Sequence, residues 1–187
     1  SFSQVVLPLK ERVSAVEDIQ KDRLENLLPK LMKREKIDCW VIITREYNED
    51  PIIKSLLPPT WLNARRRTIL VFTLNESSNK VDMVAITRYS FGNLIKSVWD
   101  KEKEPNQMKA LVDYLSLKNP KNIGINMSKT YGIADGLSVT DHNILMRYLQ
   151  NTLKSKVLSS EPLAVSWIET RTQKEMILFS HLTEITH

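Results

Sequence analysis

The sequence predicts an α/β domain with a mixed sheet of about five or six strands and helices on both faces of that sheet. Segments with helical spacing alternate with short apolar segments, and two of the apolar segments can form an early hairpin. The run at residues 38–44 is apolar without alternation through its middle, which is typical of a strand covered on both faces. With 187 residues, of which 42% are hydrophobic, the chain is long enough for one ordinary domain with its own core.

The first half of the chain is predicted to contain a helix, a central strand and a hairpin. Leu24, Leu27, Leu28 and Leu31 are three or four residues apart, which indicates a helix over roughly residues 16–34 that Pro29 kinks or divides. The central strand at residues 38–44 leads into a polar loop, and a loop after a central strand is a usual place for function. Residues 68–74 and 81–87 are predicted to be strands joined by a turn.

The second half is predicted to continue the alternation of helices and strands. The pattern indicates a helix over residues 105–117, a short buried strand over 123–126 and a last strand over 156–159. Ser138-x-x-Asp141 is a capping signal for another helix. Thr172-x-x-Glu175 is a second one, and it predicts a final helix that runs to the last residue.

The final helix is apolar around much of its circumference, more than a helix facing only water needs. Residues three or four apart share a helix face, so Leu178 and Leu182 belong to one stripe, whereas Met176 and Phe179 lie toward another. Both stripes cannot pack on the same core. We therefore expect one stripe to pack on this domain and the other on a second domain, with Met176, Phe179 and Leu182 as the candidates for inter-domain packing.

The distribution of charge, the single cysteine and the length of the apolar runs limit the sites and partners that the chain can have. The net charge is +5, but only Arg65-Arg66-Arg67 forms a tight basic run, which is either a solvated strand entrance or a contact for an anion or acidic partner. The single cysteine, Cys39, is expected to be a buried core residue. The longest apolar runs are far shorter than the roughly 18–20 residues of a membrane helix, so we expect no membrane partner. The compartment stays open between the cytoplasm and export after signal removal.

The residues that carry common chemistries are few. Three histidines and one cysteine are a thin supply for a metal site, and four glycines allow neither a Walker loop nor a dinucleotide-binding fingerprint. Asp141 and His142 are adjacent on a helix and point two ways, and His181 and Glu184 have no third ligand in sequence. We expect all four to be exposed helix residues. The residues alone therefore predict a domain with no catalytic and no metal-binding residue.

A family resemblance adds to this prediction. It is carried by residues 27–29 with 37–42, 45–51, 61–72, 123–126, 134–137 and 161–172, and it covers nearly the whole chain. Together they resemble the amino-terminal domain of the creatinase, prolidase and Xaa-Pro aminopeptidase family, whose second domain has the pita-bread fold. The resemblance implies a creatinase N-terminal domain-like fold with a ribonuclease H-like motif. The most telling stretch is the Trp-hydrophobic-Glu-x-Arg-x-x-x-Glu pattern from Trp167 to Glu175, which is similar to the family's passage into its catalytic domain.

The resemblance implies how the chain is divided and what it works with. Residues 1–172 would form the accessory domain, and residues 173–187 a linker helix leading to a C-terminal catalytic domain. The family's metal ligands are two aspartates, a histidine and two glutamates of that later domain, and they match no position here. No cofactor is expected in this fragment, whereas the parent enzyme would hold two divalent metals, manganese being the common choice, and a bridging hydroxide that attacks an Xaa-Pro carbonyl. The implied partners are the catalytic domain, a second copy in a homodimer and a proline-containing peptide, with no nucleic acid.

The resemblance also nominates contact residues. The segment after the central strand matches a region where other members carry Asn-x-x-Tyr-Leu-Thr-Gly, but here it lacks the glycine. The candidates for the substrate cleft or an interface are Arg45, Tyr47, Asn48, Trp61 and Arg65. An alternative function is an autonomous binding module that engages nucleic acid or another polyanion through Arg65–Arg67. A complete hydrolase has the least support, because no nucleophile or ligand set can be named.

Overall fold

The computed structural model of the chain describes residues 8–59 and 66–186. The strands are β1 (Cys39–Arg45), β2 (Arg67–Asn75), β3 (Lys80–Ala85), β4 (Lys96–Ser97), β5 (Ile123–Ile125) and β6 (Val157–Ser159). The helices are α1 (Leu9–Asp22), α2 (Leu28–Glu35), α3 (Ile53–Leu56), α4 (Gln107–Lys118), α5 (Val139–Tyr148), α6 (Asn151–Lys154), α7 (Glu161–Glu169) and α8 (Gln173–Thr186). The predicted α/β class is confirmed.

The six strands form one mixed sheet in the order β4-β3-β2-β1-β5-β6. The hairpin partners β1, β2 and β3 pair antiparallel, whereas β4 pairs parallel with β3, β5 with β1, and β6 with β5. The predicted hairpin and the predicted central position of β1 are both confirmed. In this arrangement β1, β3, β4, β5 and β6 all end at the same edge of the sheet, where β2 begins. We call this edge the carboxyl edge.

Helices cover both faces of the sheet, as predicted. Trp40 and Ile42 on β1 pack into one core with residues of α2, α3 and α7, such as Trp167. Val41 and Ile43 pack into a second core with residues of α4, α5 and α6. Because successive strand residues point to opposite faces and both faces are buried, β1 has an uninterrupted apolar sequence.

The first helix is divided near Pro29, as the sequence predicts. A π-helical turn, Arg23–Leu27, joins α1 to α2, and Pro29 is at the start of α2. Proline lacks the N–H that a helix interior needs, and a π turn is one of the ways in which a long helix accommodates such an interruption. The turn also brings Arg23 to a buried position against the start of α8.

Both predicted capping signals stabilise helix starts. The Ser138 hydroxyl accepts a hydrogen bond of 3.1 Å from the backbone N–H of Asp141. At the start of α8, the Thr172 hydroxyl accepts from the Glu175 N–H at 3.2 Å, and the Glu175 carboxylate accepts from the Thr172 N–H at 3.1 Å. The second signal is therefore a complete capping box, whereas the Asp141 side chain has other partners.

Candidate functional site

Two arginines at the carboxyl edge share one buried aspartate. Arg45, the last residue of β1, donates from Nε and Nη2 to the Asp141 carboxylate at 2.9 and 2.7 Å. Nε of Arg67, the first residue of β2, is 3.1 Å from Asp141 Oδ1. Asp141 is only 1% exposed. One carboxylate therefore connects two neighbouring strands to the first turn of α5.

The prediction that Asp141 is an exposed helix residue is wrong. The first turn of α5 lies against the sheet edge where the two arginines emerge, so this carboxylate is enclosed while the next residue, His142, is half-buried. The hydrogen bond from Arg45 to Asp141 raises the pKa of Arg45 above its already high value. His181 is exposed as expected, and the Glu184 side chain lies outside the described residues.

The loop after β1 brings three of the predicted contact residues together. Tyr47 is 97% exposed and has a left-handed backbone with a φ of 63°. The N–H of Asn48, which is also exposed, donates to the carbonyl of Arg45 at 3.1 Å and closes the turn. Since Arg45 is bound to Asp141, the turn that presents Tyr47 is attached to α5 on one side. The other two candidates, Trp61 and Arg65, lie outside the described residues.

The two described members of the basic run Arg65–Arg67 have different partners. Arg67 is directed to Asp141. Arg66 is exposed, and its carbonyl accepts a hydrogen bond of 2.8 Å from the N–H of Glu46. The polyanion hypothesis that rests on this run stays a prediction.

A buried polar network beside this loop was not anticipated from the sequence. Asn126 follows β5, and its Oδ1 accepts from Trp40 Nε1 at 2.8 Å and from the Ser160 hydroxyl. Its Nδ2 donates to Asp50 Oδ2 at 2.8 Å. All four side chains are buried. Because Trp40 and Ser160 both donate, Asn126 is fixed with its oxygen toward them and its amide toward Asp50.

Asp50 holds the start of α3 through the same network. Its Oδ1 accepts from the N–H of Ile52 at 2.9 Å, and its own N–H donates to the Thr44 hydroxyl at 2.7 Å. Burial raises the pKa of Asp50 above its ordinary value, and the hydrogen bonds from Asn126 and Ile52 offset part of that effect. Gly136 lies directly against this carboxylate, where a Cβ would overlap it. The network holds the loop 46–52 against β5.

A second cluster connects the π-helical turn to the start of α8, and we call it the Arg23 cluster (Arg23, Trp167, Thr170 and Glu175). Arg23 donates to the carbonyl of Thr170 at 2.6 Å, to the carbonyl of Trp167 and to the Glu175 carboxylate. Its guanidinium carbon is 4.4 Å from the centre of the Trp167 ring. Trp167 Nε1 in turn donates to the hydroxyl of Ser55 at 2.8 Å. The start of α8 is therefore bonded to the helix that carries Arg23.

Beyond this cluster, α8 exposes apolar side chains. Met176, Ile177 and Phe179 are 56%, 54% and 55% exposed, whereas Leu178 is half-buried. The side chain of Leu182 lies outside the described residues. The helix thus leaves the domain from a fixed start with apolar surface facing solvent.

Metal-binding side chains are not clustered in the described part of the chain. Residues 8–59 and 66–186 contain no group of three or more His, Cys, Asp or Glu placed to hold a metal ion. Burial, with a smaller contribution from Asp38, raises the pKa of Cys39 to about 12, so this thiol is not ionised at neutral pH. None of the helices in the part of the chain that the structure describes has the length and apolar character to span a bilayer.

Comparison of the chain with known protein families, with curated proteins and with solved structures finds no match.

Proposed function

We propose that this chain is the non-catalytic amino-terminal domain of a metal-dependent Xaa-Pro peptidase, where it contributes to the wall of the substrate cleft and to dimerisation. The sequence resemblance supports the family. The observation that carries the proposal is the junction at Trp167–Glu175. There a buried arginine fixes the start of α8, and three of the next four residues, Met176, Ile177 and Phe179, are exposed and apolar.

The energetics of α8 favour a second domain as its partner. Full burial of one large apolar side chain contributes about 1.5–3 kcal/mol, and Met176 and Ile177 are more than half exposed. Because Arg23 binds both the carbonyl of Thr170 and the carboxylate of Glu175, α8 leaves in a defined direction. A helix with a fixed direction and an apolar surface suits a domain junction better than a flexible linker does.

The turn after β1 supports the role in the cleft wall. Tyr47 offers a large amphipathic side chain on a turn whose neighbour Arg45 makes a bidentate pair with Asp141. Exposed aromatic side chains on fixed backbones are common contact residues in binding sites, because little conformational entropy is lost on binding. In this proposal the two divalent metals belong to the second domain. The amino-terminal domain described here encloses and positions the peptide.

The decisive experiment is to determine the coding sequence beyond His187 and to assay the longer protein. The reading frame is expected to continue beyond His187 for about 200 residues or more and to supply two aspartates, a histidine and two glutamates. The longer protein, loaded with manganese, should release proline from an Xaa-Pro dipeptide, and the 187-residue chain should not. A continuation without those ligands, or proline release by the 187-residue chain alone, would overturn the proposal.

A variant of the longer protein tests the cleft wall. Tyr47→Ala is expected to lower kcat/KM for the dipeptide by about tenfold, as the loss of one well-placed aromatic contact does. Tyr131→Ala is the matched control, because Tyr131 is also an exposed tyrosine but follows β5 rather than β1. Equal activity of both variants would show that Tyr47 lies away from the substrate.

A further inference from the structure

A cleft opens at the carboxyl edge, between the end of β3, the segment after β4 and the start of α4. Its walls include Arg66, Arg67, Arg88 and Lys101, together with the rings of Tyr89 and Trp99. We propose that this cationic cleft binds a small ligand through an oxyanion group, either a phosphate or a carboxylate. The inference does not rest on the proposed peptidase function.

Three of the four cations that line the cleft, all except Arg67, have no ion-pair partner among the described residues. None of the described residues that line it is acidic. Arg66, Arg88 and Lys101 are exposed, and within residues 8–59 and 66–186 none of the three forms an ion pair. The segment 60–65, which precedes Arg66, contains no aspartate or glutamate. Cations held near one another repel, and an anion between them removes that repulsion.

Arg67 adds unused hydrogen-bond donors to this charge. Its side chain is 24% exposed, and its only ion pair among the described residues is with Asp141. Nε is buried and directed at Asp141 Oδ1, 3.1 Å away, so the donors left for a ligand are those of the two terminal nitrogens, Nη1 and Nη2. A guanidinium has five N–H donors in a planar fork that matches the geometry of phosphate and carboxylate. Arg45 differs, because it already donates two hydrogen bonds to Asp141.

The walls of the cleft are held in place by hydrogen bonds. Gln107, the first residue of α4, donates from Nε2 to the carbonyls of Arg67 and Ile86 at 3.0 and 2.7 Å. Trp99 Nε1 donates to the carbonyl of Glu104 at 2.7 Å. Donors that are already positioned lose less entropy when a ligand binds. Trp99 is half-buried in the wall, so we expect a ligand in the cleft to change its fluorescence.

The test is a titration of the 187-residue chain with inorganic pyrophosphate and, separately, with citrate, both at constant ionic strength. Tryptophan fluorescence and calorimetry measure binding. We expect saturable binding of at least one anion, and at least about tenfold weaker binding by the double variant Arg88→Gln/Lys101→Gln, because each side chain supplies a charge-assisted contact. Both residues are exposed, and an unchanged Tm verifies that the variant is folded.

The matched control removes the same charge elsewhere. Arg147 and Lys129 are exposed and lie outside the cleft, so Arg147→Gln/Lys129→Gln should keep the native affinity. Preference for pyrophosphate identifies a phosphate ligand, and preference for citrate a carboxylate ligand. The proposal is overturned if neither anion binds saturably, or if both double variants weaken binding equally, since net charge alone would then explain it. Binding of a single-stranded oligonucleotide that pyrophosphate does not displace, with no binding of either small anion, would overturn it too.

Discussion

Glu175, in the first turn of the last helix, accepts a hydrogen bond from Arg23, which lies 152 residues earlier in the π-helical turn. The two side chains are 12% and 10% exposed. Burial by itself would raise the pKa of Glu175, but hydrogen bonds from the Thr172 N–H and from Arg23 outweigh it and lower the pKa. Folding therefore favours the ionised form of the Glu175 carboxyl group.

Replacing Glu175 with Gln is expected to lower the free energy of unfolding at pH 7 by about 1.5–3 kcal/mol, because Arg23 loses a charged partner in a mostly buried place. A lowered pKa means that the stabilisation is present above the ordinary value of 4.5 and is lost as pH falls through the folded-state pKa. Urea unfolding of both proteins from pH 7 to pH 3 should show the difference shrinking in acid. Glu169→Gln, which changes an exposed glutamate nearby, is the control and should match the native chain.

Replacing Gly136 with Ala is expected to destabilise the domain by about 3 kcal/mol or more, because the added methyl group overlaps the Asp50 carboxylate and would lie 2.8 Å from its Cα. Gly132→Ala is a matched control four residues away, where an added Cβ has no neighbour within 4 Å. It should change stability by less than about 0.5 kcal/mol. Equal melting temperatures for the two variants would contradict the placement of Asp50.

Asp50 is expected to make the stability of the domain depend on pH. Its pKa is raised, chiefly by burial, so folding favours the protonated carboxyl. Its contribution is fully present below the ordinary value of 3.8 and is lost as pH rises through the folded-state pKa. Asp50→Asn does not titrate and serves as the reference. The stability of the native chain relative to this variant should fall as pH rises, and a difference that is constant or grows would exclude a raised pKa.

Replacing Asp141 with Asn is expected to cost about 2–3 kcal/mol, because Arg45 and Arg67 lose their shared carboxylate while both keep partial access to water. Thermal unfolding measures the effect. Asp113→Asn removes an exposed carboxylate from an i,i+4 pair with Lys109 and should cost less than about 0.5 kcal/mol. If the two variants are equally stable, the pairing of Asp141 with the arginines contributes nothing.

The exposed surface of α8 is expected to make the 187-residue chain self-associate. Sedimentation should show a larger species for the native chain than for Met176→Ser/Phe179→Ser, in which two residues more than half exposed become polar. Leu117→Ser/Val139→Ser changes two exposed apolar residues on other helices and should sediment like the native chain. Monomers in all three samples, with α8 equally protected from hydrogen exchange, would show that this helix carries no partner surface.

The sequence was a sufficient guide to the elements whose signal is local. Uninterrupted apolar residues indicated β1, a short polar linker indicated the hairpin of β2 and β3, and the pair Thr172 and Glu175 indicated the start of α8. Each of these signals depends on residues within a few positions of one another. The same holds for the division of the first helix near Pro29.

The candidate site could be located only in part. Sequence resemblance directed attention to the turn with Arg45, Tyr47 and Asn48, and the structure places this turn at the carboxyl edge. The helical position of Asp141 beside His142 led to the wrong prediction that it is exposed, and no pattern in the sequence assigned a role to Asn126. Both side chains bind residues more than 70 positions away, and no periodic pattern marks such pairs.

The sequence by itself determined the α/β class, the central strand and the apolar last helix, because the spacing of apolar residues decides which faces are removed from water. Only the tertiary structure decided that Asp141 serves two arginines, that Asn126 connects Trp40 to Asp50, and that Arg23 binds the start of α8. The physical reason is that a buried polar group must be paired, and its partner is whichever donor or acceptor the folded chain brings beside it.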